Sequence, residues 1–440
     1  MTKNLLPFSS LAEKLLADLA DGHCVSITGL SNSGKSMLMR SLSSEAAEEI
    51  YGKKADSEGF LVYIDCNRAV ANSAQAFYEV VLRSIIERLT KNVPVKLLAD
   101  LQEYHLSITE AETSFTASLS FNLALSDLCE QLDRNLCLLF DEFDEIYVAL
   151  DDRALLNLRA LRDRFHTRLV FATTTLHSLP QLRGQNIEAE FAEMFSRFTY
   201  NIPLMKYSEA TELLKNLNFP GLTEKRNELC MELSGGHPGL LVAVAQALSG
   251  FPKSNELDLM EAILVEPQSR AECLKIWSQI DEDDRAIMIA LVIDAKAGVP
   301  QQQLRHVQAI GLVIDGKPFS PIFSDFVARK GRGSYVESKG VYLDSDSGDV
   351  WVDGIRIPVL TDLEFRLLEL LYLRRDKLTD KYRIVTSVWG EDYLGQVDDA
   401  RVEKLISRLR SKIEPDPANP RYLITRRGRG YKLLTAPSST

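Results

Sequence analysis

The sequence predicts a doubly wound parallel α/β domain at the amino end, a mainly helical stretch behind it, and a compact α+β unit at the carboxyl end. Three observations carry that expectation. Four short apolar runs, Cys24–Leu30, Leu61–Cys66, Leu136–Phe140 and Arg168–Thr173, alternate with helical patterns over the first 200 residues. Residues 205–330 lose the strand-like runs and keep helical periodicity. After a Gly/Ser/Lys-rich stretch, Lys330–Gly340, short alternating segments return. At ~100–200 residues per domain, 440 residues exceed what one core organises.

The four runs are short, apolar and rich in Val, Ile or Phe, as strands buried on both faces require. Helices are expected between them at Ala74–Leu89 and Phe121–Leu132. Turn punctuation falls at Ser234–Gly239 and Gly311–Pro321. In the carboxyl unit, strands are expected at Val341–Leu343, Val350–Val352 and Ile355–Ile357, and a capping box, Thr361 to Glu364, opens the helix Leu363–Leu373. Asp399–Ile413 places Val402, Leu405, Ile406, Leu409 and Ile413 at helical steps. The expected domains are 1–203, 204–268, 269–330, a linker at 331–339, the unit 340–434 and a frayed tail at 435–440.

Composition excludes several classes. Hydrophobic residues make up 45% and charged residues 26%, which is ordinary for a globular protein and argues against wholesale disorder. No apolar run approaches the ~20 residues of a membrane helix. Residues 1–20 show no secretory pattern, and the six dispersed cysteines contain no CxxC pair, so reduced, buried thiols in the cytoplasm are expected. The net charge of −11 speaks against a nucleic-acid partner, yet it is unevenly spread. Val341–Thr440 holds 17 Lys/Arg against 16 Asp/Glu, which is +1, so the first 340 residues carry −12. Between Pro417 and Lys432 lie five cations and no acid, a local patch that marks a binding surface better than the total does.

The sharpest signal is Gly29-Leu30-Ser31-Asn32-Ser33-Gly34-Lys35-Ser36, followed by Met37. It fits G-x-x-x-x-G-K-[ST] between an apolar strand and a helix. Glycines let backbone N–H groups curl round phosphates, and the helix N-terminus adds positive potential. Lys35 would meet the β/γ oxygens and Ser36 would ligate Mg²⁺. Leu136–Phe140 ends in Asp141 and Glu142. Asp141 is expected in the Mg²⁺ shell, and Glu142 is placed to polarise a water for attack on the γ-phosphate. Thr173 or Thr174, at the tip of the next strand, is the candidate polar group for the γ-phosphate or that water. Arg159, Arg162, Arg164 and Arg197 are candidate arginine fingers, in cis or across a subunit interface, with Arg162 and Arg197 favoured.

These residues resemble the STAND and archaeal-type ATPase branch of the AAA-like P-loop proteins over roughly residues 8–330. Ser234-Gly-Gly-His237-Pro238-Gly-Leu-Leu belongs to the likeness. The resemblance implies a helical lid, Pro238 on the adenine side of a bound ATP or ADP with His237 as its neighbour, and a winged helix over Trp277–Lys330. The last ~95 residues resemble the OmpR/PhoB-type winged helix through LTDLEFRLLELL, VWGEDY, RVEKLISRLRSKIEPDPANPRYL and RGRGYKL. That likeness implies a four-stranded N-terminal sheet, a recognition helix carrying Arg401, Lys404 and Arg408, and a wing carrying Arg427 and Arg429, all toward double-stranded DNA. Arg426 shares the wing's basic turn. The phospho-acceptor domain that usually precedes such a unit is replaced by the ATPase.

The expectation is an ATP-switched DNA-binding regulator that turns ATP over slowly and self-associates in the ATP state. The alternatives are a DNA-acting ATPase of origin, transposition or phage-defence type, and an ADP-locked scaffold that recruits a protein partner.

Overall fold

The computed structural model describes residues 6–55, 57–89, 94–183, 190–219, 222–250, 263, 266–293, 301–334, 340–343, 350–352, 355–357, 360–390, 397, 399–414, 416–426 and 428–434. The chain forms two compact units, Met1–Phe326 and Val327–Thr440.

In the first unit, five parallel strands form one sheet: β1 (Val25–Thr28), β2 (Gly59–Asp65), β3 (Asn135–Asp141), β4 (Leu169–Thr175) and β5 (Thr199–Asn201). Their order is β2-β3-β4-β1-β5. Strands β1 and β4 are buried at every position, which is why they read as unbroken apolar runs rather than alternating ones. Helices α1 (Ser9–Ala20), α2 (Lys35–Leu42) and α3 (Glu45–Ala55) flank β1 and β2. Between β2 and β3 the chain makes a long helical excursion through α4 (Ala74–Leu89), α5 (Val95–Thr109) and α6 (Ser114–Gln131). The expected helix at Phe121–Leu132 therefore starts two turns earlier. The Thr113 hydroxyl accepts from the Thr116 N–H and caps it, whereas the small polar residues of Ser114–Ser120 hide the period in sequence. Helices α7 (Asp144–Ala149) and α8 (Asp152–Phe165) lead to β4, and the short α9 (Leu179–Arg183) and α10 (Glu190–Glu193) lead to β5.

Behind the sheet come α11 (Tyr207–Leu217), α12 (Glu224–Ser234), α13 (Pro238–Gly250), α14 (Pro267–Ser278), α15 (Glu282–Ile293) and α16 (Gln301–Ala309). A small antiparallel hairpin follows, β6 (Val313–Ile314) with β7 (Lys317–Pro318). The segment Pro318–Phe323 divides at Ser320. Its buried hydroxyl accepts from the Phe323 N–H and donates to the Leu233 carbonyl. With Pro321 pre-set for a first helical turn, α17 begins there and runs to Ser334. Helix thus extends four residues into the stretch expected as linker at 331–339; residues 335–339 lie outside the described ones. All six cysteines are free and buried, and burial pushes the thiols of Cys129, Cys137 and Cys230 up to about 12.

The second unit opens with the antiparallel strands β8 (Val341–Leu343), β9 (Val350–Val352) and β10 (Ile355–Arg356). The resemblance implied four strands here; three are present among the described residues. Helices α18 (Asp362–Leu373), α19 (Lys381–Val388) and α20 (Asp399–Ile413) follow, and the hairpin β11 (Leu423–Arg426) with β12 (Gly430–Leu433) closes the unit. The capping box forms as expected: the Thr361 N–H donates to Glu364. Val402, Leu405, Ile406, Leu409 and Ile413 enter one core with Leu367, Leu368, Leu371, Ile384 and Leu423.

Candidate functional sites

Strand β1 ends at Thr28, and the loop Gly29–Gly34 turns into α2 at the carboxyl edge of the sheet, where open α/β folds place ligands. Gly34 sits at φ +100°, and a Cβ there would lie 2.8 Å from the Phe8 ring. Only glycine satisfies both demands. Ser33 N–H donates to the Leu30 carbonyl, and the buried Ser33 hydroxyl has no partner among the described residues. An orphaned donor inside a loop that starts a helix fits a phosphate oxygen. Lys35 is buried; its Nζ donates to the carbonyls of Gly29 (2.6 Å) and Leu30 (3.1 Å). Burial lowers its pKa, against the opposing pull of Glu142, Asp144 and Asp141.

Asp141 ends β3 and is buried. The Tyr63 hydroxyl donates to its Oδ2 at 2.7 Å and the Thr174 hydroxyl to its Oδ1 at 2.5 Å. Glu142 follows in the left-handed region at φ 51°, held there by its N–H donating to Thr174 Oγ1 at 3.0 Å. The turn aims Glu142 back at the loop, where Ser36 Oγ lies 3.5 Å from its carboxylate. Burial raises the Glu142 pKa, Asp141 and Asp144 add to that, and Lys35 opposes it. Ser36, Asp141 and Glu142 supply hard oxygen donors within one small region, the donor chemistry Mg²⁺ requires.

A cleft of about 600 Å³ opens above these groups. Lys35, Ser36, Met37 and Glu142 line one side; Pro238, Gly239, Val242 and Ala243 of α13, with Leu213 and Leu217 of α11, line the apolar side. His237, next to the lining residue Pro238, is buried. Its Nδ1 accepts from the Leu240 N–H. Burial, with Lys35 nearby, lowers its pKa to about 4, so the ring is neutral.

Two residues that sequence reasoning missed reach the loop from α14 and its end. Glu272, itself buried, accepts from Asn32 Nδ2 with both oxygens (2.8 and 3.1 Å). Gln279 accepts from the Ser31 N–H at 2.8 Å and donates to the Ser31 hydroxyl. The Gly239 N–H donates to the Asn32 carbonyl, and a Cβ on Gly239 would sit 2.3 Å from Glu272 Oε1. Tyr63 was missed as well.

The structure does not bring every expected residue to the cleft. Thr173 bonds Ser26 and Thr174 bonds Asp141, both fully buried, so neither hydroxyl is presented to a ligand; Thr174 acts on the acidic pair instead. Arg162 donates to the Gly22 carbonyl just before β1, and the exposed Arg197 just precedes β5. Both stand at the amino edge of the parallel sheet, opposite the carboxyl edge where the loop lies. Arg159 pairs with Glu190 and Glu193, and Arg164 with Glu130. Among the described residues, Lys35 and Lys275 are the cations lining the cleft.

In the second unit, Arg401, Lys404 and Arg408 are exposed on α20, opposite its buried stripe. Arg426 and Arg429 are exposed beside the turn of the closing hairpin, and the Arg429 N–H donates to the Arg426 carbonyl; Arg427 lies outside the described residues. Three contacts tie α20 to its neighbours, the first and third to the closing hairpin and the second to α18. Arg410 donates to the Leu423 carbonyl and Thr425 Oγ1. Lys412 pairs with buried Glu364 at 2.7 Å. Buried Glu414 accepts from the N–H groups of Arg421, Tyr422 and Leu423.

Comparison with known proteins follows this division. Residues 19–182 match the AAA domain family, and residues 358–433 match the family described as transcriptional regulatory protein, C terminal. Sensory transduction protein RegX3 of Mycobacterium tuberculosis is 43% identical over 98 residues, which are 22% of this chain and 42% of that protein. The uncharacterized transcriptional regulatory protein YrkP of Bacillus subtilis is 41% identical over 90 residues, 20% of this chain and 38% of that protein. The chain thus spans about two fifths of the length of these curated relatives. Among solved structures, a Walker-type ATPase of Pyrococcus abyssi is similar at 13% identity and TM-score 0.45, covering 72% of this chain and 94% of that one. The Klebsiella pneumoniae RstA DNA-binding domain in complex with RstA box is similar at 25% identity and TM-score 0.20, covering 22% and 92%. The chain carries an AAA-type P-loop ATPase domain and a C-terminal OmpR/PhoB-type winged helix. No helix of the described residues is long and apolar enough to cross a membrane.

Proposed function

We propose that this protein is a transcriptional regulator whose grip on double-stranded DNA is set by the adenine nucleotide in the first unit. The observation that carries the reading is the cleft itself. Lys35, Ser36 and Glu142 line it beside the lid residues Pro238 and Val242, and the same chain bears a cationic helix face and hairpin turn.

Each group has a task. Backbone N–H groups of Gly34, Lys35 and Ser36 where α2 begins, the Ser33 hydroxyl and the Lys35 ammonium hold the phosphates. The apolar side formed by Leu213, Leu217, Val242 and Ala243 takes the base. Ser36 and Asp141 would hold Mg²⁺, which supplies charge neutralisation to the phosphates when bound. Glu142, with its raised pKa, orients and deprotonates the attacking water. With two lysines and no arginine among the described residues that line the cleft, turnover by a lone chain is slow, and an arginine supplied by a second copy would speed it. Self-association in the ATP state would then place several winged helices on adjacent half-sites and raise their effective concentration.

The test is DNA binding by the full chain with ATP, with ADP and without nucleotide, alongside Lys35→Ala. ATP should tighten binding in the wild type, and Lys35→Ala should bind equally in all three conditions. Equal affinity of the wild type whatever nucleotide is supplied would end the reading.

A further inference from the structure

Asp141 is a buried carboxylate with no cation within ion-pair distance among the described residues, so it is held in another way. Strand register explains how. Phe140 pairs with Thr173, which brings Asp141 beside Thr174, while Tyr63 pairs with Leu139, two residues before Asp141 on the same sheet face. Two hydroxyls therefore converge on one carboxylate from the strands on either side.

Proton directions follow from donor chemistry. The Arg40 guanidinium can only donate, and its Nε lies 3.1 Å from the Tyr63 oxygen, with its charge 5.3 Å from the ring centroid. Tyr63 thus accepts from Arg40, and its single proton goes to Asp141 Oδ2. On the other side Thr174 accepts from the Glu142 N–H, and its single proton goes to Oδ1. Each carboxylate oxygen receives one O–H, and each hydroxyl is turned toward Asp141 by an N–H behind it. A carboxylate fixed this way is held in one rotamer, with its remaining lone pairs free for a cation.

We propose that Tyr63 is a positioning residue for the divalent-cation site, with Arg40 setting the direction of its hydroxyl. The proposal rests on the reading of the cleft as a nucleotide site. Thr174 has a backbone duty toward Glu142 as well; Tyr63 has none, so its removal isolates the effect on Asp141. Outer-shell partners of this kind change metal affinity by about 10–100-fold when lost.

The experiment follows binding of a fluorescent ATP analogue to the full chain while Mg²⁺ is titrated, with a parallel series in EDTA. Tyr63→Phe should raise the Mg²⁺ midpoint at least about tenfold and leave affinity in EDTA unchanged, a split that a general loss of fold cannot produce. Arg40→Ala, at an exposed position, should raise the midpoint by less, and Arg40→Lys should restore it in part. A Mg²⁺ midpoint equal to wild type in both Tyr63→Phe and Arg40→Ala would overturn the proposal, and so would equal losses with and without Mg²⁺. A wild-type chain that binds no nucleotide at all would instead remove the cleft reading, and the role of Tyr63 with it.

Discussion

His237 is a buried group whose protonation should destabilise the first unit from within. Its Nδ1 already accepts the Leu240 N–H, and a charged ring would be repelled by Lys35 as well as stripped of water. In the fold its pKa is lowered from 6.5 to about 4. Below pH 6.5 the unfolded chain takes up a proton that the folded chain refuses. Stability therefore falls as pH falls, at about 1.4 kcal/mol per pH unit, and levels off near the folded value. The full effect is about 3 kcal/mol, of which about 2 kcal/mol is lost between pH 7 and pH 5. His237→Asn keeps an acceptor for the Leu240 N–H and cannot titrate. Urea unfolding followed by circular dichroism at pH 7, 6 and 5 should show wild type losing about 2 kcal/mol more than His237→Asn over that range. Parallel losses in the two proteins would refute the burial argument.

Three further outcomes are expected. Gly239→Ala should cost about 1–3 kcal/mol by forcing α13 away from Glu272, and should weaken nucleotide binding in a direct titration. Glu414→Ala strips one acceptor from three N–H groups and should destabilise the second unit by roughly 3 kcal/mol, read by thermal melting. Alanine at Arg401, Lys404, Arg408, Arg426 or Arg429 should weaken DNA binding and flatten the slope of log K against log salt by about 0.9 for each phosphate no longer neutralised; an unchanged slope would remove that side chain from the interface.

What the sequence made legible was local. The glycine-bounded loop, the apolar strand ending in Asp141, the Thr361 capping box and the stripe of α20 each lie within a short stretch of chain, so period and turn chemistry suffice to find them. Tyr63 escaped because its role depends on β2 lying beside β3, a pairing across 78 residues. Glu272 and Gln279 escaped because they act on the loop from 240 and 248 residues away. The arginines stand away from the cleft of their own chain for a reason the sequence does contain. Arg162 stands shortly before a parallel strand and Arg197 immediately before one, so both belong to the sheet edge opposite a loop that follows a strand. Thr174 was rightly placed at a strand tip, but its side was set by strand order, and it faces Asp141 rather than the cleft.

The stitching of Ser31 and Asn32 to Gln279 and Glu272 has a consequence for the nascent chain. On the ribosome the five strands are complete once residue 201 has emerged, yet the amide of Ser31 finds its acceptor only at Gln279, far downstream. Fragments cut after the sheet will present this loop unbraced, and affinities measured on them will describe a different loop from the one the intact polypeptide holds.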